Sequence, residues 1–381
     1  MKEDALRLGI DAREIQDGIY TGIGRPLANF LQYFSGLKND DTCILFTTKK
    51  IPIDFGAKVS NAVIAGSNTF IWDQWQLPQA LKRQKVDIFY SPYYKIPLLK
   101  PCVTVSAILD LMYIAYAPYY KAMSPLGKLY YAVFGRLYTR RSDKILTSSK
   151  YSKKDIVRIY GVDEGKIMVI PLSVADFYFV PQETSMIEAV NKKFNIKARY
   201  ILYMGNFKEH KNIACLVHAF AAIALEFPGV NLVLAGPKEH TYAGLVKIIQ
   251  NNRLTDRVIF TGKIMESDNP QYLYQGAEVF VMPSLYEGFG LPPLEAMAGG
   301  VPVIASKATS LAEVMGDAGV LVNPNSASEI AGAIKKILQD PALKNELIKK
   351  GLARARAYET NKVAQEMYDF LINVYHGKRG C

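Results

Sequence analysis

Residues 277–306 read AEVFVMPSLYEGFGLPPLEAMAGGVPVIAS, and no other segment holds so many local constraints in a row. Val279-Phe280-Val281-Met282 is a short apolar run, the pattern of a buried strand. It stops at Pro283 and gives way to a loop with Gly288 and Gly290, residues that let a backbone turn sharply or approach a ligand. Pro292 and Pro293 suit the first turn of a helix, where a missing N–H costs nothing. That helix ends at Gly299-Gly300, and Val301-Pro302-Val303-Ile304-Ala305 opens the next strand. The stretch is therefore a strand–loop–helix–strand unit. Two carboxylates, Glu287 in the loop and Glu295 in or near the first helical turn, stand at the carboxyl end of its first strand.

Upstream, the same alternation repeats. Ile201–Met204 is a strand, followed by the loop GNFKEHKN (Gly205 to Asn212) and a helical stretch from Ala214 to Phe227. Lys208 and Lys211 stand where this loop meets a helix N-terminus, whose partial positive charge and open N–H groups suit a diphosphate. The plainer alternative is a solvated loop. Strands follow at Asn231–Ala235 and Val258–Phe260, and beyond the opening stretch at Gly319–Val322. Helices follow by spacing at Ala327–Leu338, Pro341–Ala357 and Thr360–Tyr375.

The first half carries strand patterns at Leu6–Ile10, Cys43–Phe46, Val63–Ala65, Ile88–Tyr90, Val103–Ile108, Ile145–Ser149 and Ile167–Pro171. Helical spacing runs over Leu27–Phe34 and Trp75–Lys85. Such alternation predicts a parallel doubly wound sheet in each half. Gly22-Ile23-Gly24, in a loop from Asp17 to Pro26, is either a phosphate-binding turn or an ordinary connection. Asp110 would either face a ligand crevice or cap the next helix. Periodicity lapses around Pro171–Glu183, the best linker candidate. Two α/β halves joined by a linker are expected to form a cleft between facing strand ends, a common place for a ligand.

From Met112 to Arg158 the texture changes. Tyr113, Tyr116, Tyr119, Tyr120, Tyr130, Tyr131, Phe134 and Tyr138 are interleaved with ten Lys and Arg residues from Lys121 to Arg158. Aromatic and basic residues on one surface suit contact with anionic lipid headgroups. Alternatively the tyrosines pack inward and the cations form a solvated face.

Bulk properties set the limits. A chain of 381 residues calls for two domains. The net charge of +11 and pI of about 9.2 favour an anionic partner. Glu3 and Asp4 stand where a signal peptide would carry basic residues, and no uninterrupted apolar run reaches spanning length. Cys43, Cys102, Cys215 and Cys381 show no paired spacing, and the four histidines form no cluster. A cytoplasmic chain without a disulfide framework or metal site is expected, with peripheral binding to the inner face of the cell membrane if the basic-aromatic segment meets lipid. The basic residues follow no nucleic-acid-binding motif.

Cations at the centre and hydroxyl-binding carboxylates on either side fit a sugar–diphosphate–ribose molecule, a nucleotide sugar. The Glu287-x7-Glu295 pair within the opening stretch, with GNFKEHKN before it and SLAEVMGDAGVLVNP after it, resembles the retaining glycosyltransferases of family four (glycosyl transferases group one). That resemblance implies an α/β chain of GT-B fold, two Rossmann-like doubly wound domains facing each other across a cleft. It divides into 1–175 on the acceptor side, 185–357 binding the nucleotide sugar, and 358–381, a helix crossing back to the first domain. It also implies that Glu287 meets donor-sugar hydroxyls, Glu295 the ribose diol and Lys211 the diphosphate.

The full donor set that the resemblance implies is Gly22, Gly24, Asn206, Lys208, Lys211, Glu287, Gly288, Phe289, Gly290, Leu291 and Glu295. Glu287, Lys211 and Asp110 are the catalytic candidates. The family's His-Asp pair is here Leu109-Asp110, and an arginine common after the glycine is here Asn206. No Asp-x-Asp occurs, so no metal-held donor and no cofactor are expected. The activity implied is retaining hexosyl transfer, first mannosyl, from a GDP- or UDP-sugar to a glycan or lipid-linked acceptor in polysaccharide or lipopolysaccharide synthesis. The alternatives are a sugar-nucleotide 2-epimerase and a catalytically silent nucleotide-sugar-binding protein.

Overall fold

The computed structural model describes residues 5–17, 22–66, 68–264 and 269–379. The expectations that touch residues 1–4, 18–21 and Cys381 lie outside them. The chain divides into two units, one of residues 1–173 and 360–381, the other of residues 174–359.

Among the described residues, the first unit is built on a sheet of seven strands: β1 (Arg7–Asp11), β2 (Thr42–Thr47), β3 (Val59–Val63), β4 (Ile88–Ser91), β5 (Val103–Ala107), β6 (Lys144–Thr147) and β7 (Ile167–Val169). Their order is β3-β2-β1-β4-β5-β6-β7, all parallel. The second unit has six parallel strands: β8 (Arg199–Met204), β9 (Val230–Ala235), β10 (Val258–Gly262), β11 (Val279–Met282), β12 (Val303–Ser306) and β13 (Val320–Val322). Their order is β10-β9-β8-β11-β12-β13. Central strands such as β9 and β11 are buried along their whole length, as expected for a sheet covered by helices on both faces.

One strand departs from the sequence reading. The apolar Val63–Ala65 predicts a strand, but β3 runs Val59–Val63 and only its last residue belongs to that run. It is an edge strand, VSNAV, with no buried residue along its length, so pairing with β2 rather than an apolar pattern places it.

Helices close the cores. The helix Gly24–Ser35 buries Leu27, Phe30, Leu31 and Phe34, and helix Thr360–Arg379 packs on it through Val363, Leu371 and Val374, with Tyr368 edge-on to Phe34. In the second unit the helix Ile213–Ile223 buries Leu216, Val217 and Phe220 against the sheet. Burying each such side chain contributes roughly 1.5–3 kcal/mol.

In each sheet the strand order reverses at one place, between β1 and β4 and between β8 and β11. Loops at the carboxyl ends of such a pair diverge to opposite faces and leave a crevice where ligands of open α/β sheets bind. The loops after β8 and β11 are the two that carry Lys211 and Glu287.

Candidate functional site

In the second unit, adjacency of β8 and β11 brings together residues 76 positions apart. Lys211 Nζ lies 2.6 Å from Glu287 Oε1, and each side chain is 12% exposed. The two loops are stitched through their backbones as well: Leu285 N–H donates to the His210 carbonyl at 2.7 Å. Asn212, at φ 55°, turns the chain into helix 213–223 and donates from Nδ2 to the carbonyls of Pro283 and Pro324. Lys211 thus sits immediately before the start of an eleven-residue helix, as the sequence predicts. Lys208 is half-buried in the same loop. His210 is buried, and desolvation followed by the neighbouring Lys211 charge lowers its pKa to about 4, so it is neutral at pH 7.

Asn206 Oδ1 is buried and has no hydrogen-bond partner among the described residues. The Asn206 carbonyl accepts from the Tyr203 hydroxyl.

After β11 the chain passes Gly288, Phe289 and Gly290 into helix Leu291–Ala298. Gly290 is at φ 110°, and a Cβ there would stand 2.5 Å from Leu311 Cδ2, so backbone and packing both demand glycine. Glu295 is on this helix, and its Oε2 accepts from the buried Tyr274 hydroxyl at 2.8 Å. Tyr274, which no sequence signal singles out, therefore orients the second carboxylate. Thr309 and Ser310, also unmarked in the sequence, hydrogen-bond the backbone around Glu287.

The first unit holds the remaining candidates. Gly22 is exposed and Gly24 buried, at the first turn of helix 24–35, which has no side-chain cap. Asp110 is exposed, and its Oδ1 accepts from Met112 N–H at 3.0 Å, a turn just ahead of the short helix Met112–Ala115, whose N-cap position is Leu111 rather than Asp110. Leu109 lines an apolar cavity with Ile23, Leu27, Tyr90, Ile170 and Met367. The carboxyl ends of β1 and β4 also carry a buried polar cluster that the sequence reading misses. Arg13 bridges Asp11 and Asp73 at 2.6 and 2.7 Å and stacks over the Trp72 ring at 3.8 Å. Nearby, the Tyr93 hydroxyl donates to Glu14.

The basic-aromatic segment divides between interior and surface. Tyr94 packs against Tyr131 and the buried Tyr138, and Tyr130 stacks on Phe134. Tyr113 and Tyr120 are exposed, as are Leu126, Leu129 and Val133, and Lys128 Nζ lies over the Tyr120 ring. Among the described residues, no helix is long and apolar enough to cross a membrane.

Comparison with known proteins bears on all of this. Residues 186–354 match the family described as glycosyl transferases group 1, and residues 52–175 match glycosyltransferase family 4. The O-antigen chain mannosyltransferase B of Escherichia coli is 34% identical over 219 residues, which take in 56% of this chain and 56% of that protein. The O-antigen chain mannosyltransferase RfbU of Salmonella typhimurium is 27% identical over 84% of this chain and 88% of that one. Among solved structures, sucrose-phosphate synthase of Thermosynechococcus elongatus superposes with a TM-score of 0.76 at 20% identity over 98% of this chain and all of that chain. Anabaena HepE in complex with UDP and glucose gives 0.75 at 18% identity over 97% of this chain and all of that one. At these identities the structural likeness is one of fold.

Proposed function

Because the chain belongs to the glycosyltransferases of group 1 and family 4, built on the GT-B fold, we propose that it transfers a hexose from a nucleotide-diphosphate sugar to a glycan or lipid-linked acceptor. The observation that carries this reading is the Lys211–Glu287 pair beside a helix N-terminus at the crevice between β8 and β11. An ammonium and a helix end can stabilise the charge that develops on a departing diphosphate. Glu287, next to it, accepts hydrogen bonds from hydroxyls of the sugar attached to that diphosphate, and Glu295 does the same for the ribose. Asn206 Oδ1 is a further acceptor for a donor hydroxyl or N–H.

Mannose is the first choice of sugar, since the relatives named above are mannosyltransferases of O-antigen chains, and the process is cell-surface polysaccharide synthesis. Retention of anomeric configuration is part of the proposal, with same-face attack and the leaving phosphate taking the acceptor's proton. The diphosphate charge is met by Lys211 and helix 213–223, without a metal ion.

A thermal-shift screen of GDP- and UDP-sugars, followed by a transfer assay with and without acceptor, tests this. Stabilisation by a nucleotide sugar and acceptor-dependent release of nucleoside diphosphate are expected. Conversion of the donor without acceptor would make the chain an epimerase, and binding without turnover a silent binder.

The acceptor side of the proposal includes an anionic membrane surface. Its support is residues 112–141, which hold Lys121, Lys128, Arg136, Arg140 and Arg141 and no acidic residue. Within them Leu126, Leu129 and Val133, spaced i, i+3, i+7, stand 76%, 59% and 50% exposed. Aliphatic residues rather than most of the tyrosines form the surface face. Sedimentation with vesicles containing phosphatidylglycerol should capture the chain at low salt and release it at high salt. Leu126→Ser with Leu129→Ser should abolish capture; unchanged capture would exclude this face.

A further inference from the structure

Glu287 lies on a loop, so neither helix nor strand hydrogen bonding holds its backbone. Three consecutive residues at the start of the helix Ser310–Met315, its N-cap Thr309 and then Ser310 and Leu311, do so instead. Thr309 Oγ1 accepts from Glu287 N–H at 3.0 Å. Ser310 Oγ lies 2.8 Å from the Glu287 carbonyl and 3.0 Å from the Phe289 carbonyl, and its proton is shared between them. Leu311 fills the space beside Gly290 that a side chain there would need. The N–H and C=O of Glu287 are thus both held, together with the two residues that lead into helix 291–298.

The conformation of Thr309 makes the arrangement informative. It sits at φ 55°, ψ −137°, a region of backbone space that glycine enters freely and a β-branched residue does not. Glycine would relieve the strain, yet glycine has no hydroxyl to receive the Glu287 N–H. Strain of this kind persists where surrounding contacts over-determine it, and it clusters at ligand clamps. Ser310, its neighbour, is fully buried, so its hydroxyl is committed to the loop and not to water.

We propose that Thr309 and Ser310 are positioning residues of the donor site. They lock the Glu287 backbone on both sides, which keeps its carboxylate at Lys211 and at the place of the donor sugar. Through the Phe289 carbonyl they also set the loop that leads into helix 291–298. Neither needs to touch the donor. The inference rests on the nucleotide-sugar reading given above, and its effect should fall on the sugar and on turnover more than on the diphosphate.

The test uses the full chain. Wild type is first titrated calorimetrically with a panel of GDP- and UDP-sugars, and the tightest serves as probe beside its bare nucleoside diphosphate. Thr309→Val keeps the shape and loses the hydroxyl, Ser310→Ala loses the other, and Thr309→Ser restores the first. Both losses should slow turnover roughly tenfold or more, the worth of about one hydrogen bond, while affinity for the bare diphosphate changes less than about twofold. Hydrogen exchange in the peptide spanning Glu287 should quicken in both, and Thr309→Ser should return turnover and exchange close to wild type. Thr309→Gly should hold or raise the melting temperature and still slow turnover.

Wild-type turnover and exchange in Thr309→Val and Ser310→Ala would overturn the proposal. So would a parallel fall of turnover, diphosphate affinity and melting temperature, which is the mark of a merely structural role. A wild-type chain that takes no sugar nucleotide of the panel would overturn the site reading itself, and the positioning role with it.

Discussion

Glu287→Ala separates the roles of the paired groups because it acts on stability, diphosphate binding and transfer in different directions. In the native chain Lys211 and Glu287 satisfy each other at 2.6 Å with 12% of each side chain exposed. Removing one member of a fully buried pair costs about 3–5 kcal/mol, and this partly open site puts the loss at about 2–3 kcal/mol. What is lost is chiefly the compensation of Lys211, and a diphosphate can supply it again. A charge-assisted hydrogen bond contributes about 1.5–3 kcal/mol, part of which the native pair already takes up. The bare nucleoside diphosphate should therefore bind Glu287→Ala more tightly, by up to about tenfold. Transfer should fall by roughly a hundredfold or more, since the interaction with the sugar in the transition state is gone. Isothermal titration with GDP and UDP, urea unfolding and a transfer assay read the three quantities. A tenfold weaker diphosphate affinity in a folded Glu287→Ala would refute the reasoning, because the carboxylate would then be aiding diphosphate binding rather than competing for Lys211.

The other tests are shorter. Lys211→Ala should weaken the bare diphosphate about tenfold or more, and unchanged affinity by calorimetry would remove its phosphate role. Activity should survive EDTA; loss with EDTA and recovery with Mn²⁺ would contradict a donor site whose positive charge comes from Lys211 and a helix end. Tyr274→Phe should raise KM for the nucleotide sugar a few-fold through Glu295, and an unchanged KM would mean that Glu295 needs no such partner. His210 has a folded pKa of about 4 against an ordinary 6.5, so between those values the unfolded chain binds the extra proton. Its contribution is complete above pH 6.5 and is lost as pH falls towards 4, amounting to about 3 kcal/mol at most. Urea unfolding of His210→Gln should show a flatter stability curve in that window. Glu278, lowered to about 2 chiefly by its Arg199 hydrogen bond, loses its contribution only below about 4.5, so the two windows can be read apart.

Much was legible in the chain because it is local. The apolar run 279–282, the glycines of the following loop, Pro292-Pro293 and Gly299-Gly300 each constrain their own few residues, and the structure follows them closely. Lys211 before a helix and two carboxylates eight positions apart could be read the same way. What depended on distant neighbours could not. Edge strand β3 buries no residue on either face and so shows no apolar alternation; backbone pairing with β2 is what places it. In residues 112–141 periodicity alone does not distinguish an inward tyrosine from an exposed leucine, and packing against Tyr94 decided which turned in.

The amino-acid sequence by itself determined the element types of residues 277–306, the presence of two parallel α/β units and the residue types of the proposed nucleotide-sugar site. Tertiary structure alone decided how those residues are used. It set β8 beside β11, so that Lys211 meets Glu287, placed Tyr274 on Glu295, and brought Thr309 and Ser310 to the Glu287 backbone. The physical reason is that hydrogen bonds and ion pairs act over about 3 Å, and no spacing in a linear chain shows which distant groups the strand order will bring that close.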